Sequence, residues 1–404
     1  MGGALLRPAS ANATIKERTP LMSDSLFPRL TLFITGPIYV REEVRQAGLM
    51  PEFGHRDAEN AKRFGPIMTN LKLLAGLDPD DPDWDVAIYN GSGSTAMESS
   101  IRSLVAADDK VLNVSVGAFG DLYHKMAKLN GKNAVQLKFD YGQAIDLAKL
   151  DAALAEHKPQ VVTFTHNETS TGVTNDVKAV CEMIRKHGAM PLVDGVSLFG
   201  GADIQLKEAG PAMYATSTQK SLGLPAGFGI GFISKEAEAK AEKVEFRGHA
   251  SDIINQLGRS RKSQTLTTPN CTLANQMYVQ LDYIVNQETI AKRFARHEAM
   301  RGQVHDFVDG LDGFELFAPE GHRSPTLTTV LVPEGITFAQ LKQVKEAMRA
   351  EGYLYDPGYG KLNTLLEEQN RRLVFRIGHM GDITPDMVDT YLGVLKKTLE
   401  TTLG

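Results

Sequence analysis

Residues 213–234, MYATSTQKSLGLPAGFGIGFIS, hold one lysine, Lys220, between two apolar runs of strand type. MYATST reads as a short strand and FGIGFIS as a second, while SLGLPAG between them carries too much glycine and proline for helix or strand. Lys220 is therefore expected on a tight loop at a sheet edge. A lysine on such a loop is usually solvated, but this one keeps unusual company. Gln219 and the hydroxyls of Ser217, Thr218 and Ser221 are donors suited to a phosphate, and the glycines let backbone approach a bound group closely. A buried lysine that gives up its proton easily is the residue type that condenses with aldehydes.

Working outward, the region from Asp85 to Ser234 alternates regularly. VAIYN, a GSGST turn, the helical AMESSIRSLVA and the strand KVLNVSV form one β-turn-α-β unit. Strand-like runs follow at Ala134–Lys138, Val161–Thr165 and Met190–Val193, separated by helical DLAKLDAALAEH and DVKAVCEMIRKHG. With the two strands around Lys220 this predicts an α/β fold, a mostly parallel seven-stranded sheet with helices on both faces, and ligands at the C-terminal strand ends. Before it, FGHRDAENAKRF and IMTNLKLLAGL read as helix, and RLTLFITGPIYV (residues 29–40) as an arm. After about Asn286 the pattern changes to a long charged helix, LTTVLV, FAQLKQVKEAMRAEG, LVFRI and a last helix, a smaller α+β unit. The expected division is a flexible tail over 1–27, the arm and large domain over 28–285, and a small C-terminal domain over 286–404.

Composition narrows the function classes. The 404 residues carry 44 Lys+Arg against 49 Asp+Glu, a net charge of −5, and no basic block, which argues against nucleic acid as a partner. No apolar run reaches the roughly 18 residues of a membrane span. Cys181 and Cys271 stand far apart without metal-type spacing, so neither a disulfide framework nor a metal site is expected, and a reducing, cytoplasmic setting is.

Four further stretches fall at strand ends. Gly91-Ser92-Gly93-Ser94-Thr95 opens a helix and offers N–H groups and hydroxyls to an anion, although a structural turn is an equal reading. It lacks the lysine of a P-loop, and no acidic residue ends KVLNVSV to hold a ribose as a dinucleotide site requires. Asp194 follows the strand PLV, where it either caps a turn or holds a cationic ring nitrogen. THNETSTGV bunches Thr165, His166, Asn167, Glu168 and Thr169; for His166 alone a polar loop is the preferred reading. Arg376 lies inside the apolar FRIGHMG, which suits either a bidentate substrate carboxylate or a structural ion pair. Together these residues supply the inventory for pyridoxal phosphate acting on an amino acid.

The motifs NGSGSTAMES (90–99), VSVGAFG (114–120), THNETSTGVTND (165–176), VDGVSLFGG (193–201), STQKSLGLPAGFGI (217–230) and FRIGHMGD (375–382) resemble, in order and spacing, the class V aminotransferases of fold type I, closest to the serine/alanine:glyoxylate group. The resemblance runs over about residues 31–400. It implies that Lys220 binds the cofactor aldehyde, that Asp194 partners the pyridine nitrogen, and that Val196 and Phe119 cover the two ring faces. Ser92, Gly93, Ser94, Thr95 and Gln219 would hold the phosphate, Thr169 the ring hydroxyl, and Arg376 the substrate carboxylate, with Gly36 at the substrate entrance. A homodimer with a shared active site is implied, Thr267 of QTLTTPN reaching the neighbouring phosphate. The implied reaction is ping-pong transfer from a serine- or alanine-type donor to a small 2-oxo acid such as glyoxylate or pyruvate. Two positions depart from the family pattern: the opening GPGP is here Gly36-Pro37-Ile38-Tyr39, and Gln264 replaces a tyrosine before Thr267. Competing readings are an aminophosphonate or dicarboxylate transaminase, a lyase or a desulfurase on the same fold, and a non-catalytic binding subunit. A desulfurase needs a mobile cysteine, whereas Cys181 falls in a helical pattern and Cys271 near the expected dimer contact.

Overall fold

The structure, a computed structural model, describes residues 29–403, so the tail expected over 1–27 lies outside it. Seven strands build the main sheet: β1 (Trp84–Gly91), β2 (Lys110–Ser115), β3 (Asn133–Lys138), β4 (Val161–Thr165), β5 (Met190–Asp194), β6 (Met213–Ser217) and β7 (Gly227–Ser234). Their order is β1-β7-β6-β5-β4-β2-β3. β3, β2, β4, β5 and β6 pair in parallel, and β7 alone runs against both its neighbours. The expected fold class is therefore the observed one.

The side-chain alternation shows why the sheet is covered twice. Val86 and Ile88 pack into one core while Ala87 and Tyr89 face the other; Tyr214 and its neighbours Met213 and Ala215 divide in the same way. Val180, Cys181 and Ile184 of the helix Val177–Lys186 cover the first face, and Met97, Ile101 and Leu104 of the helix Gly93–Leu104 cover the second.

Several local expectations change. The Lys220 loop joins two interior strands, because β1 pairs outside β7; it lies at strand ends and not at a lateral edge. The helix expected from Phe53 begins at Ala58, where the Asp57 carboxylate accepts the Glu59 N–H at 3.0 Å and fixes the start. The loop after β4 contains a small hairpin, Asn167–Glu168 against Val173–Thr174. The charged helix expected near Asn286 is Ile290–Asp309, preceded by a π-helical turn over Tyr283–Glu288.

The C-terminal part carries an antiparallel sheet of β8 (Glu315–Leu316), β9 (Leu327–Leu331) and β10 (Val374–Gly378), under the helices Ile290–Asp309, Phe338–Ala350 and Pro385–Leu403. The arm enters here. Thr31–Leu32 pairs in parallel with Tyr353–Leu354, and Phe33 stacks on Tyr391 with centroids 3.9 Å apart. From that anchor the chain passes Thr35 and Gly36 to the strand ends of the main sheet.

Candidate active site

The C-terminal ends of β1, β4, β5 and β6 converge on a cavity of about 290 Å³. Its wall includes Gly36, Ser92, Gly93, Ser94, Phe119, Thr169, Asp194, Val196, Gln219 and Lys220, all expected from sequence, together with Pro37, Met97 and Ala226, which were not. Larger clefts of about 670 and 690 Å³ lie elsewhere and contain none of these residues. Among the described residues no group of three His, Cys, Asp or Glu could hold a metal.

Lys220 projects from the β6–β7 loop, and its Nζ donates to the carbonyl of Thr35. Burial pushes its pKa down to about 8, helped by the Arg376 guanidinium and opposed by the carboxylates of Asp356, Asp194 and Glu168. Gly36 makes room for it: with φ of +125°, it sits where an added Cβ would lie 2.7 Å from Nζ. Asp194 ends β5 at 4% exposure and accepts the Val196 N–H at 2.9 Å. Burial raises its carboxyl to about 7, the Val196 N–H lowering it and the Glu168 charge raising it further. Behind it, His166 donates its backbone N–H to the Asp194 carbonyl at 2.8 Å and places Nδ1 3.1 Å from the Tyr214 hydroxyl. Burial lowers the His166 imidazole to about 4, so it stays neutral and supports the wall from outside the cavity.

The helix Gly93–Leu104 aims its N-terminus into the cavity, with Ser92, Gly93 and Ser94 on the wall. Thr95 does not line it. Its Oγ1 accepts the Ser92 N–H at 3.2 Å and so closes the helix start. Gly93 has no space for a side chain, since a Cβ would overlap Val196. Gln219 turns a buried Oε1 toward no partner. Thr267 accepts the Asn90 side-chain amide at 2.9 Å, away from the cavity of its own chain.

Phe119 is held by a residue whose role the sequence did not disclose. The Glu168 carboxylate, fully buried, accepts the N–H groups of Phe119 and Gly120 at 3.1 Å, the Ser170 N–H at 3.0 Å and the Ser170 hydroxyl at 2.6 Å. Burial raises its pKa in spite of these donors. The available signal was a glutamate between two strand-end polar residues, opposite a helix start that has no side-chain cap of its own.

Arg376, on β10, stands behind the wall at 8% exposure. Nη1 donates to the Thr169 carbonyl at 2.8 Å, Nη2 pairs with Asp356 at 3.0 Å, and Nε is buried without a partner. The structural ion pair and a free donor thus coexist on one guanidinium.

Over most of its length the chain is similar to proteins of one family. Residues 86–350 match the family model described as aminotransferase class-V. An uncharacterized aminotransferase of Methanocaldococcus jannaschii is 30% identical over 87% of both chains. A serine–glyoxylate aminotransferase of Hyphomicrobium methylovorum is also 30% identical, over 88% of this chain and 86% of that one. The crystal structure of an alanine–glyoxylate aminotransferase from Nostoc sp. superposes with a TM-score of 0.84 at 27% identity, covering 95% and 97% of the two chains. The chain belongs to the class V aminotransferases and is a pyridoxal-phosphate enzyme of fold type I.

Proposed function

We propose that this aminotransferase moves the amino group of a small amino acid, of the serine or alanine type, to a small 2-oxo acid such as glyoxylate or pyruvate, in two alternating half-reactions. The observation that carries the reading is the pairing of Lys220 and Asp194 in one buried cavity with Arg376 behind its wall. The names of the serine–glyoxylate and alanine–glyoxylate relatives support the substrate class.

The residues present fit pyridoxal phosphate. An amine lowered to about 8, a buried carboxylate, and a helix N-terminus with the donor NH2 of Gln219 beside it on the wall would meet its aldehyde, its ring nitrogen and its phosphate group. When bound, the cofactor supplies an electron sink for the electrons left at Cα as its proton departs. Lys220 would hold the aldehyde, and its amine, neutral when freed, would take the Cα proton at Nζ and return it. Asp194 keeps a proton on the ring nitrogen, its charge favoured there once a cation lies opposite. Phe119 and Val196 confine the ring from two sides. Ser92, Gly93, Ser94 and Gln219 hold the phosphate, with Thr95 acting through the helix start, and Thr169 holds the ring hydroxyl. Arg376 grips the substrate carboxylate, and Gly36 shapes the entrance.

The same reading makes the protein a cytoplasmic homodimer, Thr267 reaching the phosphate of the neighbouring copy, and divides each chain into an arm and large domain to residue 285 and a small domain beyond. Mixing holoenzyme with a panel of amino acids and following the cofactor absorbance tests the substrate class. Alanine or serine should react fastest, with the matching 2-oxo acid released. Faster reaction with 2-aminoethylphosphonate or a dicarboxylic amino acid overturns the assignment.

A further inference from the structure

Resting on the reading that Arg376 grips the substrate carboxylate, we propose that Asp356 determines specificity, restricting the site to substrates with one carboxylate. Asp356 already occupies Nη2 of Arg376 at 3.0 Å, and the Thr169 carbonyl occupies Nη1 at 2.8 Å. Nε is left as the nitrogen without a partner. Arg376 therefore enters the reaction with its charge balanced, and an incoming carboxylate brings the local group to one net negative charge.

Asp356 cannot swing aside to relieve this. Its carboxylate also accepts the Thr35 hydroxyl at 3.1 Å and the Gly358 N–H at 3.1 Å, and it is 5% exposed. The Thr35 carbonyl in turn accepts from Lys220, so Asp356 is fixed to the same arm that faces the reacting lysine. A second substrate carboxylate would enter the field of the three buried carboxylates that act on Lys220, Asp356, Asp194 and Glu168. Among the described residues Lys220 is the one cation on the cavity wall, and the cofactor aldehyde uses it. Arg376 is already balanced by Asp356 and Asp194 faces the ring nitrogen, so a second carboxylate finds no free cation, and an unpaired charge is strongly unfavourable where water is excluded. A methyl or hydroxymethyl side chain brings no charge and is not disfavoured.

The test compares kcat/KM for alanine and for aspartate, with glyoxylate as acceptor, in wild-type holoenzyme and in Asp356→Asn. The amide keeps an oxygen for the Gly358 N–H, its NH2 can donate to the Thr35 hydroxyl, and the charge is removed. The ratio of aspartate to alanine should rise roughly tenfold or more, with the aspartate gain mainly in KM. A variant that retains cofactor and shows an unchanged ratio overturns the proposal, because a structural role would lower both substrates together. If the variant does not fold, inhibition of the wild type decides: succinate should bind no better than propionate, and tighter succinate binding overturns the proposal. Failure of the underlying reading shows separately, as a wild type that turns over neither alanine nor serine, or an Arg376→Ala enzyme with an unchanged KM for alanine, and it removes this proposal as well.

Discussion

Replacing Arg293 by methionine should cost several kcal/mol of stability although it lies outside the cavity. Arg293 is fully buried and spends its guanidinium on four acceptors: the Gly200 carbonyl at 2.9 Å, the Ser221 carbonyl at 2.6 Å, Glu288 at 2.8 Å and Asp382 at 3.0 Å. Methionine fills similar volume, so the loss is electrostatic and not a cavity. Removing one partner of a buried ion pair costs about 3–5 kcal/mol, and each carbonyl stripped of its donor adds roughly 1–3 kcal/mol unless water replaces it. Arg41 remains 3.3 Å from Asp382, and Arg296 remains 2.7 Å from Glu288, which places the ion-pair loss at the lower end. The expected total is about 5–9 kcal/mol where no water replaces the lost donors, against about 5–15 kcal/mol for a typical fold. Urea unfolding at fixed protein concentration, read by circular dichroism and by fluorescence of the lone Trp84, measures it. Arg293→Lys should recover no more than half, since one ammonium cannot reach four separated acceptors. Because Ser221 follows Lys220, cofactor retention should weaken in parallel. A methionine variant within about 1 kcal/mol of wild type, a difference the method can just resolve, would refute the reasoning.

Borohydride reduction and peptide mapping should place the pyridoxyl group on Lys220, and Lys220→Ala should bind cofactor without transaminating; labelling of another lysine contradicts the assignment. Capture of cofactor by apoenzyme needs the neutral amine. Its rate should therefore rise with pH through a midpoint near 8, and a midpoint at the ordinary lysine value would mean that burial does not govern Lys220. Asp194→Asn should lower turnover by orders of magnitude with the fold intact, as checked by circular dichroism, because the ring nitrogen loses its charged partner. Glu168→Gln turns a donor toward at least one pair of buried N–H groups, and it should lower both thermal stability and cofactor affinity; an unchanged cofactor Kd would detach Glu168 from the placement of Phe119.

What the sequence disclosed and what it withheld divide along a physical line. The seven strands could be read because each is a short run whose faces alternate between two cores, and the pattern is local to the run. The cavity residues could be read for a related reason. In an open parallel sheet ligands lie at C-terminal strand ends, so Ser92, Asp194, Thr169 and Lys220 are each marked by position within their own segment. The residues that went unread have functions fixed by partners far along the chain. Arg293 lies in the charged helical stretch AKRFARHEAM (291–300), which looks solvated, and only the fold brings it to the carbonyls of Gly200 and Ser221. Thr35 and Asp356 are 321 positions apart and meet because the arm pairs beside Tyr353–Leu354. Asp356 itself stands in YDPGYG, where an aspartate before Pro-Gly reads as a turn residue.

Arg376 is the residue whose flanks leave its partner open. An arginine in an apolar strand demands a counter-charge, but the demand is satisfied equally by a substrate and by the protein. Nothing in FRIGHMG distinguishes them, because the distinguishing atom belongs to another segment. The fold supplies Asp356 for Nη2 and leaves Nε without a partner, so the ion pair is present and the proposed substrate carboxylate would have a different nitrogen of the same side chain. A buried charge can therefore be recognised from its flanks, whereas its selectivity is written in the residues that share it.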